Sequence, residues 1–278
     1  MKTRIISACI MLPLLILVYM GGIWITAAAF VVGIIGLHEF YKGFEAVGTV
    51  PCKPLGYTAA VLLYGFNIFF PDDYRFVMFW AALTVIASMV YGFDVEKRKL
   101  QDMTSTLMGI FYTVFLSYHI VLIEQSSFRQ LIWLVFLAAF GTDIMAYFTG
   151  MALGKHKLCP HLSPKKSIEG AVGGVIGSVI LCVLFGHFFA PDFKVLCLVI
   201  GFFGSIVSQL GDLSASAFKR QMGIKDYGNL IPGHGGILDR FDSVLFAAPA
   251  VFPADAPAND GRWMRCAPPA MSHPESPD

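Results

Sequence analysis

Residues 171–213 read AVGGVIGSVILCVLFGHFFAPDFKVLCLVIGFFGSIVSQLGDL, and only Asp192, Lys194 and Asp212 among them carry a formal charge. The stretch divides at Pro191-Asp192 into two apolar runs, Ala171–Ala190 and Phe193–Leu213. Each is about the 20 residues that a helix needs to cross roughly 30 Å of hydrocarbon. Neither run alternates with period 2, which argues against barrel strands, and lipid requires backbone groups to be satisfied within each segment. Two helical spans joined by a tight turn follow.

The same pattern recurs outward from this pair, at Ile5–Met20, Gly22–Leu37, Leu55–Phe70, Tyr74–Tyr91, Thr104–Ile123 and Leu131–Gly150. A ninth apolar segment, Phe241–Phe252, contains Pro249 and is too short to span. The expected fold is an all-α, polytopic integral membrane helical bundle with about eight full transmembrane helices plus a truncated ninth. Composition agrees: 56% of the 278 residues are apolar and 14% are Asp, Glu, Lys or Arg, against about 25% charged in an ordinary soluble domain. Lys2 and Arg4 before the first run resemble a secretory leader, but no small-x-small cleavage site closes it, so it is read as a retained span. The domain reading is a membrane-embedded unit over 1–252 and a Pro-rich disordered tail over 253–278.

Twenty basic and nineteen acidic residues sum to +1, a total that says nothing until it is placed on the topology. With the N-terminus cytoplasmic, 15 of the 20 cations fall on the inner side and Arg75, Arg129 and Lys194 on the outer, as the positive-inside rule requires. The outer connections are short. The inner ones after the sixth and eighth runs are long and hold most of the His, Lys and Asp residues, so chemistry is expected on the cytoplasmic face. Six cysteines are scattered without a CxxC pair, and neither a disulfide framework nor a zinc site is read from them.

Residues 209–242, QLGDLSASAFKRQMGIKDYGNLIPGHGGILDRFD, are the leading site candidate. Asp212 is read as ending the eighth span, while Asp239 and Asp242 open the ninth helix three residues apart. Such carboxylates are hard ligands suited to Mg²⁺, which takes one or two of them and leaves other positions to phosphate and water. Alternatively, Asp239 pairs with Arg240 or Arg220 and Asp212 caps a helix. Lys219, Arg220 and Lys225 offer positive charge to polyphosphates, or form a solvated inner-face charge run. Gly233-His234-Gly235-Gly236 is read as a tight loop whose N–H groups close on an anion. A second polar loop, GKHKLCPHLSPKKSIEG at 154–170, gathers Ser163, Lys165 and Lys166 as phosphate or lipid-headgroup contacts. Asp143, inside the sixth run, would cost about 2.5–3.5 kcal/mol or more if unpaired in lipid. It therefore faces the bundle interior as a ligand or as the partner of a following lysine. Gly170, Gly173, Gly174 and Gly177 are read as helix-packing positions, and His38-Glu39 is read as interfacial.

The residues Ser216-Ala217-Phe218-Lys219-Arg220, Lys225-Asp226, Ile231-Pro232-Gly233-His234-Gly235-Gly236, Asp239-Arg240 and Asp242 together resemble the phosphatidate cytidylyltransferases, or CDP-diacylglycerol synthases. Asp143 with Ala146, Tyr147 and Gly150, and the run Ser163-Pro164-Lys165-Lys166-Ser167-x-Glu169-Gly170, extend the resemblance over about residues 1–252. Ser167 stands where Thr is more usual, and the family's full last helix is here interrupted at Pro249. The resemblance implies transfer of a cytidylyl group from CTP to phosphatidate at a bacterial inner membrane. It implies Asp212 and Asp239 as metal ligands, Asp143 and Asp242 beside them for Mg²⁺ with room for a second cation, and Lys219 and Arg220 as catalytic cations. Ser163, Lys165, Lys166, Lys225, Arg240 and Gly233–Gly236 are then substrate contacts. The partners are CTP and phosphatidate in the bilayer, with no nucleic acid; a homodimer is admitted. A CTP-dependent polyisoprenol kinase shares the lipid-plus-nucleotide logic, and a transporter would explain Asp143 and the Gly-rich helices as a midplane ion site but not the two long cationic loops.

Overall fold

The computed structural model describes residues 16–70, 74–126, 128–230 and 235–252. Most of the first apolar run, the tail over 253–278, and Gly233 and His234 of the Gly-rich loop lie outside the described residues. The helices are α1 (Ile23–Glu45), α2 (Lys53–Phe69), α3 (Tyr74–Tyr91), α4 (Leu100–Gln125), α5 (Ile132–Leu153), α6 (Ile168–Phe189), α7 (Lys194–Gln221) and α8 (Leu238–Val251). Five helical stretches, Ile23–Glu45, Leu100–Gln125, Arg129–Leu153, Ile168–Phe189 and Pro191–Gln221, are long and apolar enough to cross a membrane. Large apolar side chains stand on their outer faces, among them Phe188 and, on α3, Met78 and Phe79. A continuous apolar exterior of this kind suits lipid rather than water.

The interior is built around α8, which packs against α7, α5, α4 and α1. Its Val244, Leu245, Ala247, Ala248 and Val251 are all buried. The helix continues through Pro249 to Val251 instead of stopping before it. Pro249 sits in the last turn, where only one backbone bond is forfeited. Polar side chains fasten the apolar helices to one another: Asn67 Nδ2 on α2 donates to Tyr118 Oη (2.7 Å) and Gln125 Oε1 (2.9 Å) on α4. In lipid these bonds supply specificity that apolar burial cannot. Asp102, 2% exposed, accepts from Val50 N (2.7 Å) and Lys99 N (2.8 Å), fixing the α1–α2 connection to the start of α4.

Two departures from the sequence reading matter for the site. The inner segment 154–170 is not an open loop: Lys157–Cys159 (β1) pairs antiparallel with Ser163–Ser167 (β2). These are the strands seen among the described residues. Helix α7 also runs past Leu213 to Gln221, so Asp212 lies within it and Ser216–Arg220 ride on its last turns. Ser, Ala, Phe, Lys and Arg permit a helix as well as lipid-facing residues do, and the end comes only at Gly223, whose φ of 66° breaks the helical path. Counting apolar residues locates where a helix leaves the hydrocarbon, not where it stops.

Helices α5 and α6 approach closely because small residues face each other. A Cβ built on Gly174 would lie 3.0 Å from both Ala146 Cβ and the Thr142 carbonyl, and one on Gly170 2.9 Å from the Ala146 carbonyl. The glycines thus serve packing within this chain. Gly174→Leu overpacks this contact and is expected to cost about 1–3 kcal/mol, read as a lowered thermal-unfolding midpoint in detergent; an unchanged midpoint would mean the helices do not depend on this approach.

Candidate active site

A cavity of about 360 Å³ opens between α5, the β-hairpin, the start of α6 and α7, lined by Asp143, Tyr147, Lys165, Lys166, Gln209 and Asp212 among others. Local chemistry places each wall. Ser167 Oγ caps α6 by accepting from Gly170 N (3.1 Å). In the first turn of α6, Glu169 reaches back to accept from Lys155 N (3.1 Å), His156 N (3.2 Å) and the His156 ring (2.6 Å). The hairpin is therefore clamped to the helix that follows it, and β2 delivers its lysines to the cavity. Lys166 Nζ lies 2.5 Å from Asp212 Oδ2, tying β2 to α7. Arg220 Nε donates to the Leu162 carbonyl in the hairpin turn at 3.4 Å.

Asp242 opens α8 from the other side. It is 7% exposed, and its Oδ1 accepts from Ser243 N (2.7 Å), while Ser243 Oγ donates to Asp143 Oδ2 (3.3 Å). Asp143, Asp212 and Asp242 lie close enough for each to feel the others' charge, with Lys166, Lys219 and Arg240 as the nearby cations. Three acids gathered where water is scarce repel one another, an arrangement that favours a bound cation. Among the described residues no three His, Cys, Asp or Glu side chains are grouped tightly enough to cage a metal by themselves. That donor set fits Mg²⁺, which keeps water and phosphate oxygens in most of its positions.

Asp239, expected beside Asp212, has a different surrounding. Oδ1 accepts from Lys219 Nζ (2.7 Å), and Oδ2 accepts from Tyr227 N (2.8 Å) and Gly236 N (2.9 Å). Its partner is thus Lys219, not Arg240 or Arg220. Lys219 also stands over the Tyr227 ring at 5.4 Å, and Tyr227 Oη donates to the Ala215 carbonyl (3.1 Å). Burial, with Asp242 and Asp239 nearby, pushes the Tyr227 phenol well above its ordinary range. Asp239 and Asp242, one turn apart, therefore serve different neighbours.

The described part of the Gly-rich loop also differs from the sequence reading. Gly235 takes a φ of 83°. Gly236 N is occupied by Asp239, and the next two N–H groups, of Ile237 and Leu238, donate to the Glu39 carboxylate at 3.0 and 2.8 Å. At residues 236–238 the anions that the loop encloses are the protein's own. Ser163 opens β2 half-buried, and Lys225 and Arg240 are exposed. Gln209, whose Nε2 donates to the Ala171 carbonyl (3.2 Å), lines the cavity without having been singled out. Glu39, read from the sequence as interfacial, instead accepts from the first N–H groups of α8.

Known proteins share this chain's sequence over nearly its whole length. The cytidylyltransferase family matches residues 2–254. Phosphatidate cytidylyltransferase of Staphylococcus haemolyticus is 33% identical over 256 residues, covering 89% of this chain and 94% of that protein. The Bacillus subtilis protein of the same name is 35% identical over 219 residues (78% and 72%), and that of Brucella abortus 33% over 258 (91% and 92%). With the helical membrane architecture and the acid-and-lysine cavity in place, the chain belongs to the cytidylyltransferase family.

Proposed function

We propose that this protein transfers the cytidylyl group of CTP to phosphatidate, forming CDP-diacylglycerol and pyrophosphate. The reading is carried by the cavity between α5 and α7, where Asp143, Asp212, Lys165 and Lys166 meet beside an apolar wall of Met151 and Leu158. Its family and its curated relatives, phosphatidate cytidylyltransferases by name, support the same reaction. We further place the site on the cytoplasmic face of a bacterial inner membrane, with eight spans and a cytoplasmic N-terminus, as the distribution of basic residues supports.

In this reaction a phosphate oxygen of phosphatidate attacks the α-phosphorus of CTP, and the bond from that phosphorus to the β-phosphate oxygen breaks. No covalent nucleophile is required of the protein. Catalysis is then chiefly positioning and charge neutralisation. Bound Mg²⁺ would offset the phosphate charge and steady the pyrophosphate leaving group. Asp143 and Asp212 would hold it, with Asp242 beside them; a second cation is compatible with three acids. Lys166, already against Asp212, and Lys165 on the same strand would face the phosphates, with Arg220, Lys225 and Arg240 guiding CTP to the inner face. Ser163 would reach the same phosphates from the start of β2. Asp239, engaged on both oxygens, is assigned here as the anchor of the loop and of Lys219 instead of as a direct metal ligand.

Two experiments test the reading. Membranes containing the protein and labelled CTP should release pyrophosphate only when phosphatidate is added; release of CDP would instead identify a lipid kinase. Asp212→Asn should lower turnover at least about 100-fold, the order lost when one electrostatic stabiliser is removed, with the protein still inserted. Chelation of divalent cations should stop the wild-type reaction and added Mg²⁺ restore it. Full activity of the variant would remove Asp212 from the site, and activity that survives chelation would remove the metal.

A further inference from the structure

Asp242, one of the carboxylates proposed above to surround a cation, sits on α8, a 14-residue helix whose N-cap, Ile237, offers no side-chain acceptor. A Ser, Thr, Asp or Asn at that position would satisfy the exposed N–H groups locally and stabilise the helix wherever it lay. Here the acceptor comes from 198 residues away: Glu39 Oε1 takes Ile237 N at 3.0 Å, and Oε2 takes Leu238 N at 2.8 Å. A remote cap does more than stabilise, because it ties the start of α8 to one place on α1. Glu39 is 6% exposed. The backbone wraps it closely: a Cβ on Gly236 would lie 2.3 Å from Oε2, and one on Gly228 2.6 Å from Oε1. Glycine at both positions lets the loop close on the carboxylate.

The neighbouring turn holds the second acid. Asp239 accepts Gly236 N and feels the Glu39 charge, so two mutually repelling carboxylates share three consecutive N–H groups. Moving either one shifts Lys219, which Asp239 grips, and Asp242, one turn further on. We propose that Glu39 is a positioning residue for cytidylyl transfer: from α1 it sets the seat of the α8 N-terminus, and thereby the placement of Asp242 and the Asp239–Lys219 pair at the site. The proposal rests on the reading of the carboxylate cluster given above.

Glu39→Gln keeps the shape but turns an amide N–H₂ toward one of the two N–H donors. The expected result is a fall in kcat of about ten- to hundredfold, as for other groups that orient catalytic ligands. The KM for CTP should stay within about threefold, since Lys165, Lys166, Arg220 and Lys225 all lie outside α8. Hydrogen–deuterium exchange of the peptide spanning 235–240 should quicken while peptides of α5 and α6 stay protected, a readout independent of turnover. Unchanged kcat in the inserted variant, or unchanged exchange at 235–240, overturns the proposal. So does a rise in KM with kcat preserved. Should Glu39→Gln fail to accumulate, Gly228→Ala crowds Glu39 without removing its charge and should give the same pair of changes; failure of both to insert assigns Glu39 to folding alone. Asp212→Asn assayed alongside separates the two readings. If it is inactive while Glu39→Gln is normal, only the role of Glu39 falls; if Asp212→Asn is active, the carboxylate site itself falls.

Discussion

Three backbone N–H groups, of Gly236, Ile237 and Leu238, point into the bundle at the start of α8, and two carboxylates accept them. The seating of the α8 N-terminus, which carries Asp239 and Asp242, depends on that exchange. A buried N–H without a partner costs about 1–3 kcal/mol, and a helix start at this depth has little water to turn to. Glu39 and Asp239 satisfy the three groups and bring two negative charges with them. Those charges are balanced by the helix N-terminus they cap and by Lys219 at 2.7 Å from Asp239. The loop that looks from its glycines like an open anion cradle is, at these residues, already closed on internal anions.

The second wall is assembled by different means. Helices α5 and α6 meet through glycines, and the chain between them, residues 154–167, has to return to the start of α6. The hairpin solves this, because Glu169 and Ser167 pull both of its ends onto the first turn of α6. Strand β2 is thereby held above α7, close enough for Lys166 to meet Asp212. Basic residues on a free loop would be spread over the inner face and would bind any anionic headgroup weakly. The same residues on a clamped strand have a fixed distance to the acids, which is what an in-line displacement between two phosphates requires.

Much of this was legible in the sequence. The spans stand out because about 20 apolar residues in a row have few other uses, and Asp143, Asp212 and Asp242 stand out because acids are costly beside lipid. The full extent of α7 was hidden, since helix continuation beyond the membrane is set by propensity and packing, not by hydropathy. The hairpin was hidden too: GKHKLCPHLSPKKSIEG has no apolar alternation, and its pairing depends on Glu169 reaching back 13 and 14 residues. Glu39 escaped because its partners are backbone groups almost 200 positions away, and no local pattern records a contact of that kind. Asp239 stood out in the sequence as a carboxylate, but its three donors, from Lys219, Tyr227 and Gly236, could not be read there.

The cavity's position follows from the two kinds of molecule it has to admit. A nucleotide triphosphate carries too much charge to enter lipid, and a diacyl phosphate cannot leave it. Only the boundary plane serves both. On α5, Asp143 and Tyr147 line the cavity, while Ile144 and Phe148 of the same turns are exposed on the outer surface. In the proposed reading, a lipid phosphate would approach Asp143 and the β2 lysines with its chains along an apolar helix face, while the triphosphate would arrive over the basic residues beside the cavity. Lys166 sits between these approaches. Its contact with Asp212 keeps the lysine oriented before any phosphate arrives, so a cation bound by the acids and a phosphate bound by the lysine would each displace part of the same ion pair. Charge at the site is thus redistributed on binding instead of being created, which limits the cost of keeping three acids together at the edge of a membrane.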